Sequence, residues 1–146
     1  MADSREYPTR PIPGVGVIVR KDDLVLMIQR GKAPGYGMWG LPGGAIELGE
    51  ALRDAAAREV REECGIEIAL GDVVDAVDIV LRDDAGRAQY HYVIVDFFAR
   101  YVSGDVRAGD DVLDARWVAR ADLIKFDVPK MTRQVIAKAW TREGSK

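Results

Sequence analysis

Cysteine occurs once in this chain, at Cys64, so no internal disulfide can staple it, and a reducing compartment fits that usage. Histidine also occurs once, at His91, which denies a cysteine nucleophile its usual partner; Cys64 reads instead as a small residue packed inside a helix. No apolar run nears the ~20 residues that a membrane-spanning helix needs, and the N-terminus carries no apolar signal-peptide core. The cytoplasm is therefore expected by default. Basic residues are not in excess: 21 Lys and Arg stand against 24 Asp and Glu, a net charge of −3. No global basic field draws such a chain to nucleic acid or to an anionic membrane. Proline is missing between Pro42 and Pro129, and glutamate between Glu67 and Glu143. Internal repeats and low-complexity linkers are missing too.

What is present suits one compact domain. The length, 146 residues, is that of a single ordinary domain, and 48% hydrophobic content is enough for a real core. Residues 1–12 are polar and proline-bearing and are expected to form an arm, residues 13–142 the domain, and residues 143–146 a tail. Gly14 to Arg20 and Leu24 to Gln29 read as two strands about a Lys21-Asp22-Asp23 turn. Glycine and proline punctuate residues 31–40, which are expected to form a loop. A helix is expected from Glu50 to Cys64, closed by Gly65 as a C-terminal cap. Asp72 to Leu81 and Gln89 to Tyr101 read as a hairpin, and Ala115 to Val118 as a short strand. A last helix starts near Asp127, with Pro129 in its first turn, and runs to about Thr141. Strands, one long helix, more strands and a closing helix do not make a repeating βα pattern; they predict an α+β fold with a mixed sheet.

Three glutamates, Glu59, Glu62 and Glu63, crowd the end of the central helix. At about 100° per residue, Glu63 lies ~40° around the helix from Glu59 and Glu62 about 60° to its other side. The apolar face runs through Leu52, Ala55, Ala56 and Val60, and Glu59 and Glu63 fall within that arc. A solvated charged helix would place its carboxylates opposite the apolar residues. Carboxylates turned towards the core need a cation, so the pattern predicts a divalent metal site.

The full spacing extends this. From Gly44, five residues lead to Glu50, and seven more lead to Arg58-Glu59-Val60-Arg61-Glu62-Glu63-Cys64-Gly65-Ile66. This resembles the box of the Nudix hydrolases, with every fixed position filled, and the approach Trp39-Gly40-Leu41-Pro42-Gly43-Gly44 resembles the family's usual entry. The resemblance runs from about Pro11 to Leu123. It implies the α/β/α sandwich of that family, a mixed central sheet between helical layers with a loop-helix-loop catalytic motif. It implies hydrolysis of a phosphoanhydride in a nucleoside diphosphate linked to another moiety, with Mg²⁺ as cofactor and Mn²⁺ as an alternative. Glu59 and Glu63 are carried over as direct metal ligands, Glu62 as a further ligand, and the Gly44 carbonyl with them. Arg58 and Glu50 become residues that hold the box together. The general base stays open between Glu59, Glu62 and a downstream acid. Asp111, six residues before Trp117, occupies the place where relatives carry an additional acid.

Arg30 ends the second strand in a Leu-x-x-Gln-Arg pattern and suits phosphate, against the plainer reading of a strand-end ion pair. Trp39 either packs its loop or borders the ligand. Tyr36, Tyr90 and Tyr92 are candidates to stack on a base, and alternation puts Tyr90 and Tyr92 on one sheet face with His91 on the other. The stretches RPIPGVGVIVR, APGYGMWGLPGG and YHYVIVDFFA resemble bacterial proteins described as ADP-ribose pyrophosphatases, which implies ADP-ribose cleaved to AMP and ribose 5-phosphate. The runner-up is a nucleoside triphosphate pyrophosphohydrolase releasing a monophosphate and pyrophosphate, and a non-catalytic nucleotide-binding module stands third. The expected partner is a small nucleotide, with no nucleic acid and no membrane, in a homodimer.

Overall fold

The computed structural model describes residues 5–143. Residues 1–4 of the expected arm and 144–146 of the expected tail lie outside the described residues. The chain forms β1 Ile12–Lys21, β2 Leu24–Arg30, β3 Trp39–Gly40, β4 Gly43–Ala45, α1 Leu52–Cys64, β5 Glu67–Arg82, β6 Ala88–Ser103, β7 Val112–Ala119, a 3₁₀ helix Arg120–Lys125, and α2 Lys130–Glu143. All strands join one seven-stranded sheet in which β3-β2-β1-β6-β5 run side by side, β4 pairs with β1 and β7 with β2. The β1–β6 pairing is parallel and the rest antiparallel, which makes the sheet mixed.

Alternation along β1 builds two cores. Val15, Val17 and Val19 face α1, where Ala55, Ala56, Val60 and Cys64 pack with Phe97. Ile18 faces α2, where Val135, Ile136, Ala139 and Trp140 pack with Phe98 and Val74. The helices thus lie on opposite faces of the sheet, the layered α+β architecture expected. No helix among the described residues is long and apolar enough to cross a membrane.

The differences from the sequence reading are local. Helix α1 begins at Leu52 rather than Glu50, because Ala51 is extended and the Glu47 amide is held by the Glu50 carboxylate in a preceding turn. Leu52 is 36% exposed and does not join the apolar face. The expected loop at residues 31–40 closes with a two-residue strand, and Gly43–Ala45 adds a second short one. Pro129 sits just before α2 and its carbonyl accepts the Arg133 amide, so it caps the helix rather than occupying its first turn. The N-terminal segment folds back: the Tyr7 amide donates to the Gln89 carbonyl and its hydroxyl to Asp83 at the tip of the β5–β6 ribbon.

One acid is buried among these strands. Asp96, 4% exposed, shares the α2-side face of β6 with Phe98. Burial, with the charge of Asp75 directly across the strand pair, lifts its carboxyl from 3.8 to about 7. A raised folded-state value means that stability is complete below about pH 4 and falls as pH rises through about 7. Asp96→Asn is therefore expected to raise the unfolding free energy by the order of 3 kcal/mol at pH 8 and to leave it nearly unchanged at pH 4, read from denaturant melts.

Candidate active site

Arg58 is the hub of the loop and helix. Its Nε and Nη2 donate to the two Glu50 oxygens at 2.7 and 2.8 Å, and its Nη1 reaches Glu59 at 2.9 Å and Glu62 at 3.2 Å. Nη2 also donates to the Ala45 carbonyl at 3.3 Å, which fastens the loop before the helix to the helix itself. The bidentate fork suits the planar guanidinium and would be lost with lysine. It holds the Glu50 carboxyl down at about 2, helped by the Glu47 amide.

The metal-type carboxylates divide by environment. Glu63 is half-buried and accepts the Gly43 amide at 2.7 Å. Burial pushes its carboxyl up to about 7; the Glu59 charge adds to this, while the Gly43 amide, Arg30 and Lys32 oppose it. Glu59, with only 13% of its side chain exposed, is also raised by burial and opposed by Arg58. Glu62 is 59% exposed on the solvent side. Strand β4 passes tightly beneath them. A Cβ at Gly44 would lie 2.8 Å from the Glu59 carboxyl, and one at Gly43 would overlap the Val15 carbonyl oxygen. Only glycine lets this backbone come so close. At the helix end Gly65 takes φ 73° and returns its amide to the Arg61 carbonyl, which fixes where the glutamates stop.

Among the described residues, no three acid, histidine or cysteine side chains converge closely enough to hold an ion as they stand. The reason is Arg58, which draws Glu59 and Glu62 to itself. The donor chemistry nevertheless fits a hard divalent cation. It is all oxygen, and the desolvated Glu63 makes no ion pair among the described residues.

A cleft of about 390 Å³ is lined by Arg5, Glu6, Arg30, Lys32, Tyr90 and Tyr92. Arg30 and Lys32 act electrostatically on Glu63, and Arg5 on Glu59, so the cations and carboxylates share one field. Arg30 is positioned by a 2.7 Å bond from its Nε to the Pro34 carbonyl. Tyr90 and Tyr92 lie on one face with rings 6.5 Å apart and nearly parallel. Asp111 sits at the rim in a 3.5 Å ion pair with Lys32. Trp39 packs edge-on against Phe126 in the α2-side core, and Tyr36 is exposed on its loop; neither lines the cleft. Arg5 and Lys32 escaped the sequence reading. Arg5 lies in a segment read as an arm and carries no local signal, whereas Lys32, two residues past Arg30 in a glycine-rich loop, could have been paired with it.

Residues 10–139 match the family described as NUDIX domain. An ADP-ribose pyrophosphatase of Methanocaldococcus jannaschii is 31% identical over 135 residues, 90% of this chain and 78% of that protein. The nucleoside triphosphatase NudI of Salmonella typhimurium is 30% identical over 113 residues, 74% of this chain and 79% of that protein. The crystal structure of a MutT NUDIX hydrolase from Burkholderia pseudomallei superposes with a TM-score of 0.74 at 32% identity, covering 88% of this chain and 98% of that one.

A cation that takes up the buried carboxylates stabilises the folded state by linkage. Millimolar Mg²⁺ is expected to raise the melting temperature by roughly 3–8 °C, the equivalent of ~1–2 kcal/mol. Glu63→Gln should abolish that response, and a wild-type melt indifferent to Mg²⁺ would refute the site.

Proposed function

The chain belongs to the NUDIX domain family, and from that membership we propose that it hydrolyses nucleoside triphosphates to a monophosphate and pyrophosphate with Mg²⁺, or Mn²⁺ in its place. Hydrolysis of a nucleotide phosphoanhydride comes with the family. The triphosphate rests on one observation: three basic side chains, Arg5, Arg30 and Lys32, outnumber the one acid, Glu6, in a cleft whose cations act electrostatically on Glu59 and Glu63. A triphosphate tail carries more charge than the doubly esterified pyrophosphate of ADP-ribose, because its terminal phosphoryl group ionises further. A cluster of three cations suits the more highly charged tail.

In this reading Glu59, Glu63 and the Gly44 carbonyl would hold the cation, with Glu62 and Asp111 as further acids available to it. When bound, the cation neutralises phosphate charge and lowers the pKa of a water. The protein's own part is to position. Arg30 and Lys32 grip the outer phosphates, Arg58 keeps Glu59 and Glu50 in register, and a tyrosine ring offers a stacking surface. Water adds to phosphorus, the α–β bridging P–O bond breaks, and pyrophosphate leaves with the bridging oxygen.

ADP-ribose is the second reading. It is favoured by the Methanocaldococcus jannaschii relative, which aligns over more of the chain than NudI does. A panel of the common nucleoside triphosphates and ADP-ribose, with products identified by mass spectrometry, separates the two. The triphosphates are expected to exceed ADP-ribose in kcat/KM by at least ~10-fold, since ionic contacts confined to the larger charge are worth more than 1.4 kcal/mol. A reversed ratio would install ADP-ribose as the substrate. Glu62→Gln and Glu63→Gln should each lower turnover at least ~10²-fold with the fold intact, and unchanged rates in both would sink the assigned roles.

A further inference from the structure

The segment before β1 is tied down, although its sequence is that of a free arm. Chain termini stay mobile unless something holds them. Here the Gln89 carbonyl accepts the Tyr7 amide at 2.7 Å, and the Gln89 side-chain amide donates to the Glu6 carboxylate at 2.6 Å. The Tyr7 hydroxyl donates to Asp83 at 2.8 Å, and the Arg87 guanidinium lies 4.7 Å from the centre of the Tyr7 ring. Tyr7 itself takes φ 52°, in the left-handed region that a bulky residue rarely adopts unless its surroundings hold it there.

The receiving side is a closed turn. Asp83 accepts the Ala85 and Arg87 amides at 3.0 and 2.9 Å and the Arg87 Nε at 3.1 Å. The carboxylate that closes the turn between β5 and β6 therefore also receives Tyr7. Arg5 lies two residues before Tyr7, no more than ~7 Å of chain. With Tyr7 held, Arg5 stays at the cleft, which it lines with Arg30, Lys32, Tyr90 and Tyr92. It acts on the Tyr92 hydroxyl through its charge and as a hydrogen-bond donor, and its charge is also felt by Glu59. Arg5 is exposed, so its guanidinium is open to a ligand.

We infer that Arg5 is a binding residue for the phosphate chain of the substrate, and that Tyr7, fastened to Asp83 and Gln89, is the positioning residue that keeps it in the cleft. This gives the nucleotide-hydrolase reading a further contact and rests on that reading. A guanidinium offers phosphate a planar pair of N–H donors, and Arg5 adds a third cation to the two already assigned to the outer phosphates. On an untethered terminus the same contact would have to order the backbone and a long side chain at the moment of binding. The clamp at the hairpin tip removes that cost in advance, away from the reacting atoms.

Inorganic pyrophosphate, titrated calorimetrically into the full chain at saturating Mg²⁺, reads the contact without turnover. Arg5→Ala is expected to weaken its binding about 10-fold and Tyr7→Ala about 5-fold. Tyr7→Phe, which keeps the ring against Arg87, is expected to fall between Tyr7→Ala and the wild type. In the Arg5→Ala background Tyr7→Ala should cost less than ~2-fold, because the clamp then has nothing to position. A Tyr7 that only stabilised the hairpin would cost the same in both backgrounds. That equality, wild-type affinity in Arg5→Ala, or a wild type that takes up no pyrophosphate would overturn the proposal. Coupled losses in an enzyme that turns over only ADP-ribose would uphold Arg5 and Tyr7 while removing the triphosphate reading.

Discussion

The site depends on how closely a strand of glycines approaches a helix of glutamates. Strand β4 lies against α1 with Gly44 almost touching the Glu59 carboxyl and the Gly43 amide bonded to Glu63. That contact desolvates both carboxyls and raises their proton affinity, which makes them costly as bare anions. The remaining features answer that cost. Arg58 supplies a guanidinium to Glu59 from within the helix, and Arg5, Arg30 and Lys32 supply positive potential from the cleft. A divalent ion would relieve the same cost more fully, because it can meet several oxygens at once.

Much of this was legible because the information was local. The crowding of Glu59, Glu62 and Glu63 on one side of a helix, the capping Gly65 and the flanking Gly43-Gly44 all lie within one short stretch, and helical geometry alone orients them. The β1–β2 hairpin and the pairing of the two long strands followed from alternation and turn chemistry. What escaped was set by distance in sequence. The two-residue β3 has no period to detect. Arg5 reaches the cleft only because Tyr7 is anchored to Asp83 and Gln89, a contact across the whole ribbon. Asp96 did leave a trace, since a lone acid in the run Tyr92-Val93-Ile94-Val95-Asp96-Phe97-Phe98 interrupts an otherwise apolar strand. Its face and its isolation became visible only with the register of β1 and β5.

The two helical layers divide the labour. The α1 side carries the carboxylates, the arginine hub and a valine-rich core that holds them rigid. The α2 side carries a core built round Trp39, Phe98 and Trp140.

The outer rim of the sheet is β5, sixteen residues long and paired on one side only. An exposed strand of that length invites another copy to add to it. Here Asp72, Asp75 and Asp78 recur along it at every third position. A second copy docking antiparallel would bring its own aspartates opposite these, and such like-charge apposition is unfavourable at neutral pH. The border of the ribbon therefore carries its own safeguard against fibre-like stacking.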